Sequence, residues 1–172
     1  GTKIEDGMPT IHFSVKLSAI VYEAWRQIDG IYVHKEDIKN ALKGLLRRAS
    51  EYHVVIIIDK EEYGYRDFTT AILFEVIDEL AEEGRDFVIS DEQGTLRLGM
   101  VVQAYLKDSG KELKDILRWA RTNKYRVPIR LVKGAYDEKE KQWAKGVYGS
   151  GDPQFNNGKE YPNPVFREKE ST

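Results

Sequence analysis

Four short apolar runs rich in β-branched residues punctuate the chain: Ile11–Leu17, His53–Asp59 around Val-Val-Ile-Ile-Ile, Leu98–Tyr105, and Val127–Lys133. They are nearly continuous rather than alternating, the pattern of strands buried on both faces and therefore of a parallel sheet. Segments with helical periodicity lie between them. Ile38, Ala41, Leu42, Leu45, Leu46 and Ala49 form one apolar stripe. Phe68, Ile72, Val76 and Leu80 form another, within a helix predicted from about Asp67 to Glu83. Leu113, Ile116, Leu117 and Ala120 form a third, and a weaker helix is predicted from Asp137 to about Lys145. Strand and helix in regular alternation predict a series of βαβ crossovers. Ala19–Lys35 has no clear element, and Gly146–Pro164, rich in glycine and proline, reads as loop.

Each predicted strand carries polar side chains at or near its carboxyl end. These are Lys16, then Asp59 with Glu61, then Gln103, then Arg130 with Lys133. In parallel α/β folds, loops and helix N-termini converge at that end, and ligands bind there. A bland reading stands beside this one. Asp59 could be a turn or cap residue, and Arg130 and Gln103 could belong to a structural hydrogen-bond network. Taken jointly, the four strands favour a polar, mixed-charge mouth suited to a ligand with an anionic portion. Weaker candidates are the run Asp137–Lys141, which reads as a solvated helix start, the adjacent Glu61 and Glu62, which should point apart, and Tyr63, Tyr65 and Tyr105 as stacking platforms. Phosphate-loop, dinucleotide-fold and serine-elbow patterns do not occur.

Composition narrows the class. With 41% apolar residues the 172-residue chain can fill a core, and no run approaches the ~20 apolar residues of a membrane span. A net charge of -2 argues against a nucleic-acid partner or an anionic membrane surface. The absence of cysteine excludes disulfides and thiolate chemistry, and three histidines argue against a metal site. The chain opens Gly1-Thr2 with no charged-then-apolar leader, so a cytoplasmic protein, or a mitochondrial matrix protein in a eukaryote, is the expectation.

The string Arg130-Leu131-Val132-Lys133-Gly134-Ala135-Tyr136 resembles the R-L-V-K-G-A-Y motif of the proline dehydrogenase family, including that domain of the bifunctional proline utilisation A enzymes. Four further stretches are similar to family motifs in the same order: Ser14–Ala19 (S-V-K-L-S-A), Asp59–Asp67 (D-x-E-x-Y-x-Y-K-D), Val101–Tyr105 (V-V-Q-A-Y), and Pro164-Val165-Phe166 with Lys169 and Thr172. After Tyr136 the family continues W-D-x-E, whereas this chain has Asp137-Glu138-Lys139-Glu140, so only Glu140 keeps its place. The resemblance implies a (βα)8 TIM barrel that holds FAD and oxidises L-proline to 1-pyrroline-5-carboxylate by hydride transfer to the flavin. It implies that Lys16 pairs with the proline carboxylate, that Asp59 orients polar neighbours beneath the site, and that Tyr136 packs near the proline ring. It further implies that Gln103 and Arg130 hydrogen-bond the flavin ring and that Lys133 lies on the FAD side. A membrane would enter only indirectly, as electron acceptor.

A complete barrel takes about 250 residues. Only four or at most five of the eight βα units are expected here, within a single partial barrel domain over residues 1–172 whose last part, 146–172, is a loop-rich tail. Two other readings remain open. One is a non-catalytic half-barrel that self-associates through its open strand edges. The other is a Schiff-base aldolase-type barrel using Lys16 or Lys133 as the amine.

Overall fold

The computed structural model describes residues 11–84, 86–145 and 164–166. Four strands, β1 (Ile11–Val15), β4 (Val54–Ile58), β5 (Leu98–Gln103) and β6 (Ile129–Val132), form one parallel sheet in the order β1-β4-β5-β6. A separate hairpin holds β2 (Gln27–Ile28) and β3 (Ile31–Tyr32), and helix α1 is the single turn Leu17–Ile20. Three longer helices make the crossovers: α2 (Lys35–Glu51), α3 (Arg66–Glu82) and α4 (Ser109–Thr122); α5 (Asp137–Ala144) follows β6. Spatial order equals chain order, so the sheet winds steadily in one direction, as in a barrel wall, rather than reversing as a doubly wound sheet does.

The alternation of side chains along a strand sends each residue to one face or the other. On the helix side Ile56, Ile58, Leu98, Met100 and Val102 join Ile38, Leu42, Leu46, Ile72, Val76 and Leu80 in the main core. The opposite face carries only a small apolar cluster, Val55, Ile57 and Val101 with Val132. That sparse face is the inside of the curled sheet. Gly99 permits the close approach of β5 to β6, because a Cβ there would lie 2.1 Å from the Pro128 carbonyl oxygen.

The central strands are buried as predicted, but the edge strands are not. Ile11 and Phe13 on β1 are exposed, and Leu131 on β6 is 68% exposed. They occupy the helix-side face at the two margins of the sheet, beyond the cover of α2, α3 and α4. The unassigned stretch Ala19–Lys35 contains the hairpin, whose turn places Asp29 and Gly30 at φ 52° and 79°, a conformation typical of tight Asp-Gly hairpin turns. Aromatic stacking docks this region on the N-terminal end of α3: Tyr32 lies 3.7 Å from Phe68 and Trp25 lies 4.2 Å from Tyr65, between ring centroids.

Charges outside the barrel wall are internally matched. Lys35, Lys39 and Lys43 recur every four residues on α2 and meet Glu75 and Glu79 on α3 at 2.6–2.8 Å. Beneath the rim, Lys60 and Glu112 form an ion pair at 2.8 Å with side chains only 1% and 5% exposed. Lys60 completes its donors on the Arg66 carbonyl at 3.0 Å and the Thr70 hydroxyl at 2.5 Å. Residues 146–163 and 167–172, most of the tail, lie outside the described residues; Val165 bridges to Leu106 just after β5.

Candidate active site

Lys16 and Asp59 sit one residue beyond the carboxyl ends of β1 and β4, Gln103 ends β5, and Lys133 follows β6. Arg130 lies inside β6, paired in register with Val101. These residues and Tyr136 line one cavity of about 320 Å³ on the inner face of the sheet, floored by Val101 and Val132. All six residues singled out in the sequence therefore share one mouth.

Arg130 dominates it. Its guanidinium forms an ion pair with Asp59 and donates through its other terminal nitrogen to the Ser14 hydroxyl at 2.6 Å. Ser14 is on β1, the opposite margin of the sheet, so a β6 side chain reaches β1 only because the sheet curls. Lys16 Nζ donates to the Tyr136 hydroxyl at 3.2 Å. That hydrogen bond, reinforced by the negative charges of Glu61 and Asp59, raises the Lys16 pKa and keeps the ammonium charged. A Schiff-base amine needs the opposite shift, so Lys16 is tuned as a cation rather than as a nucleophile. The Lys60 amine is pushed down by burial but is locked in its ion pair. Lys133 lines the cavity with an exposed side chain.

Gln103 is 2% exposed. Its amide nitrogen makes one long contact, 3.5 Å, to the Glu61 carbonyl, and its Oε1 is buried with no protein partner among the described residues. An orphaned amide oxygen inside a polar cavity is suited to a ligand N–H.

The loops around the mouth are stapled together. Glu61 accepts from the Ser18 hydroxyl at 2.8 Å and the Ser18 N–H at 3.3 Å, while Glu62 turns the other way to Lys139 at 2.8 Å. The two carboxylates point apart, as expected. Glu140 is buried and accepts the Tyr63 N–H at 2.6 Å; burial pushes its carboxyl up to about 7. Gly134 has φ +130° and packs so tightly that a Cβ would lie 2.2 Å from the Tyr105 ring. The three candidate stacking tyrosines are structural: Tyr105 backs Gly134, Tyr65 stacks on Trp25, and the Tyr63 ring centroid lies 4.8 Å from the Arg66 guanidinium carbon. Two contributors escaped the sequence reading, Ser14 and Lys139, whose amine lies 5.6 Å from the Tyr136 ring centroid. Ser14 was findable, because period-two alternation puts it on the face of Lys16.

The family model for proline dehydrogenase matches residues 3–172. The chain belongs to the proline dehydrogenase family. Among curated proteins none matches it. Similar solved structures include proline utilization A from Bdellovibrio bacteriovorus inactivated by N-propargylglycine, with 25% identity over 94% of this chain and a TM-score of 0.68. A Bradyrhizobium japonicum proline utilization A mutant shares 23% identity over 92% of this chain, with a TM-score of 0.66. A further proline utilization A structure, with proline bound in remote sites, matches at 23% identity over 92% of this chain and a TM-score of 0.64. The chain spans 14% of the length of each of these relatives. The four-stranded parallel half-barrel is thus the fold of a proline dehydrogenase domain. Among the described residues, no helix is long and apolar enough to cross a membrane.

Proposed function

We propose that the mouth is the active site of an FAD-dependent proline dehydrogenase domain that converts L-proline to 1-pyrroline-5-carboxylate. The convergence of Lys16, Gln103 and Arg130 on one cavity of a proline dehydrogenase family member carries this reading. The side chains fit a flavin: the orphaned Gln103 Oε1 can accept from a ring N–H, and Arg130 has N–H donors left for ring acceptors. When bound, FAD supplies the hydride acceptor for oxidation of the substrate carbon.

The chain's own part is positioning and fixed charge. Lys16, held as an ammonium, binds the proline carboxylate, and Tyr136, hydrogen-bonded to it, packs beside the ring. Asp59 holds the Arg130 guanidinium toward the cavity, where this permanent cation would help hold a flavin ring and would favour its acceptance of negative charge. Lys133 brings a further positive charge to the cavity lining and would serve the cofactor.

A visible absorption spectrum of the protein with added FAD, then with proline, tests this. Retained flavin whose absorbance bleaches with proline is the expected outcome; free flavin after gel filtration overturns it. Arg130→Ala should weaken flavin binding by roughly ten- to a hundredfold or slightly more, in keeping with ~1.5–3 kcal/mol for a charged hydrogen bond. A second reading, that sheet margins recruit strands from another copy, is favoured by exposed Ile11, Phe13 and Leu131 beside strand edges that are unpaired among the described residues, and concentration-dependent size by light scattering checks it.

A further inference from the structure

We infer that Ser14 is a positioning residue that fixes the plane and direction of the Arg130 guanidinium across the mouth. The inference rests on the flavin reading for its ligand but not for its geometry. Arg130 is 47% exposed along its side chain, and an ion pair at one nitrogen of an exposed guanidinium leaves the group free to pivot about that contact. Ser14 closes this freedom. Its hydroxyl accepts from Nη1 at 2.6 Å, while Asp59 Oδ1 accepts from Nη2.

The two anchors come from different strands. Ser14 pairs in register with Ile57, and Asp59 lies two residues beyond Ile57, so both anchors stand on the same inner face, one step apart along the sheet. A planar, rigid fork held at both terminal nitrogens has one orientation. Its remaining N–H donors are left for a group in the cavity. Alanine at this position would keep the strand and the Asp59 ion pair but release one corner of the fork. Threonine would keep the hydroxyl.

Arg130 side-chain resonances, followed by ¹⁵N NMR in the apo-protein and assigned with Arg130→Lys, test the anchor. Restricted rotation of the Arg130 terminal nitrogens should be present in the parent and in Ser14→Thr, and averaged out in Ser14→Ala. FAD titration of the same proteins should show about two- to tenfold weaker binding for Ser14→Ala, the range expected for one lost hydrogen bond, with recovery in Ser14→Thr and an unchanged melting temperature. Unchanged Arg130 dynamics in Ser14→Ala overturn the anchor, and altered dynamics with unchanged flavin affinity overturn its role at the ligand. If even the parent takes up no flavin, the flavin reading fails together with the role of Ser14 at that ligand, and the NMR comparison alone decides whether the anchor exists.

Discussion

The two faces of the sheet use charge in opposite ways. On the helix side, most charges are answered within the chain: the lysine ladder of α2 meets the glutamates of α3, and the buried Lys60 ends all its donors on Glu112, Thr70 and Arg66, although Glu112 Oε2 has no partner among the described residues. On the inner face, Arg130 and Lys16 are each held by part of their hydrogen-bonding capacity, and Gln103 keeps a buried oxygen unanswered. Satisfied charge stabilises the wall, and unsaturated charge is what a ligand can complete. The contrast explains how one small sheet can carry a stable shell and a reactive-looking mouth.

The largest expected effect breaks the shell. Lys60→Met strands the Glu112 carboxylate in a buried site and should lower stability by about 3–5 kcal/mol in urea unfolding. Arg130→Ala, at the mouth, should lower it by less than about 1 kcal/mol. Equal losses would erase the distinction between the faces.

Glu140, at the boundary, gives a pH test. In the native state its carboxyl titrates at about 7, above the ordinary 4.5 of the unfolded chain. Between those values the folded state holds a proton that the unfolded state has released, so stability falls as pH rises through the window. At ~1.36 kcal/mol per pKa unit the total is on the order of 3 kcal/mol. Glu140→Gln should flatten that slope in urea midpoints measured from pH 4.5 to 8, and an unaltered slope would reassign the titration.

The smallest effect belongs to the ladder. Hydrogen bonds from Lys39 and Lys43 hold the Glu79 carboxyl below its ordinary value, so its contribution is present above pH 4.5 and is lost as pH falls through the depressed value. Glu79→Gln should cost less than about 1 kcal/mol at pH 7, because the pairs are partly solvated, and should leave a shallower acid limb in the same measurement.

Much of this was readable from residue order. Val-Val-Ile-Ile-Ile became the buried β4, and the Ile38-to-Ala49 stripe became the buried side of α2, because burial periodicity is local information. The runs at the margins were misread as buried on both faces. A run such as Ile11–Val15 looks the same whether it is central or at an edge, since neighbours are set by sheet order and not by the strand itself. The hairpin at Asp29-Gly30 was missed although its turn signal was present, because its strands are only two residues long and are held by stacking from Trp25 and Tyr32 onto distant rings.

The sequence by itself determined the alternation of strand and helix, the placing of Lys16, Asp59, Gln103, Arg130 and Lys133 near carboxyl ends of strands, and the family. Each depends on spacing or motif along a continuous stretch of chain. Only the tertiary structure decided that the Arg130 guanidinium rests on Ser14, 116 residues away, that Gln103 keeps an unanswered oxygen, and that Glu140 is buried. Those facts follow from the curl that brings the two margins of the sheet within one side chain's reach and from the packing of separate loops over the rim. No local pattern encodes them, because the energy of a charge or an amide depends on what surrounds it in space.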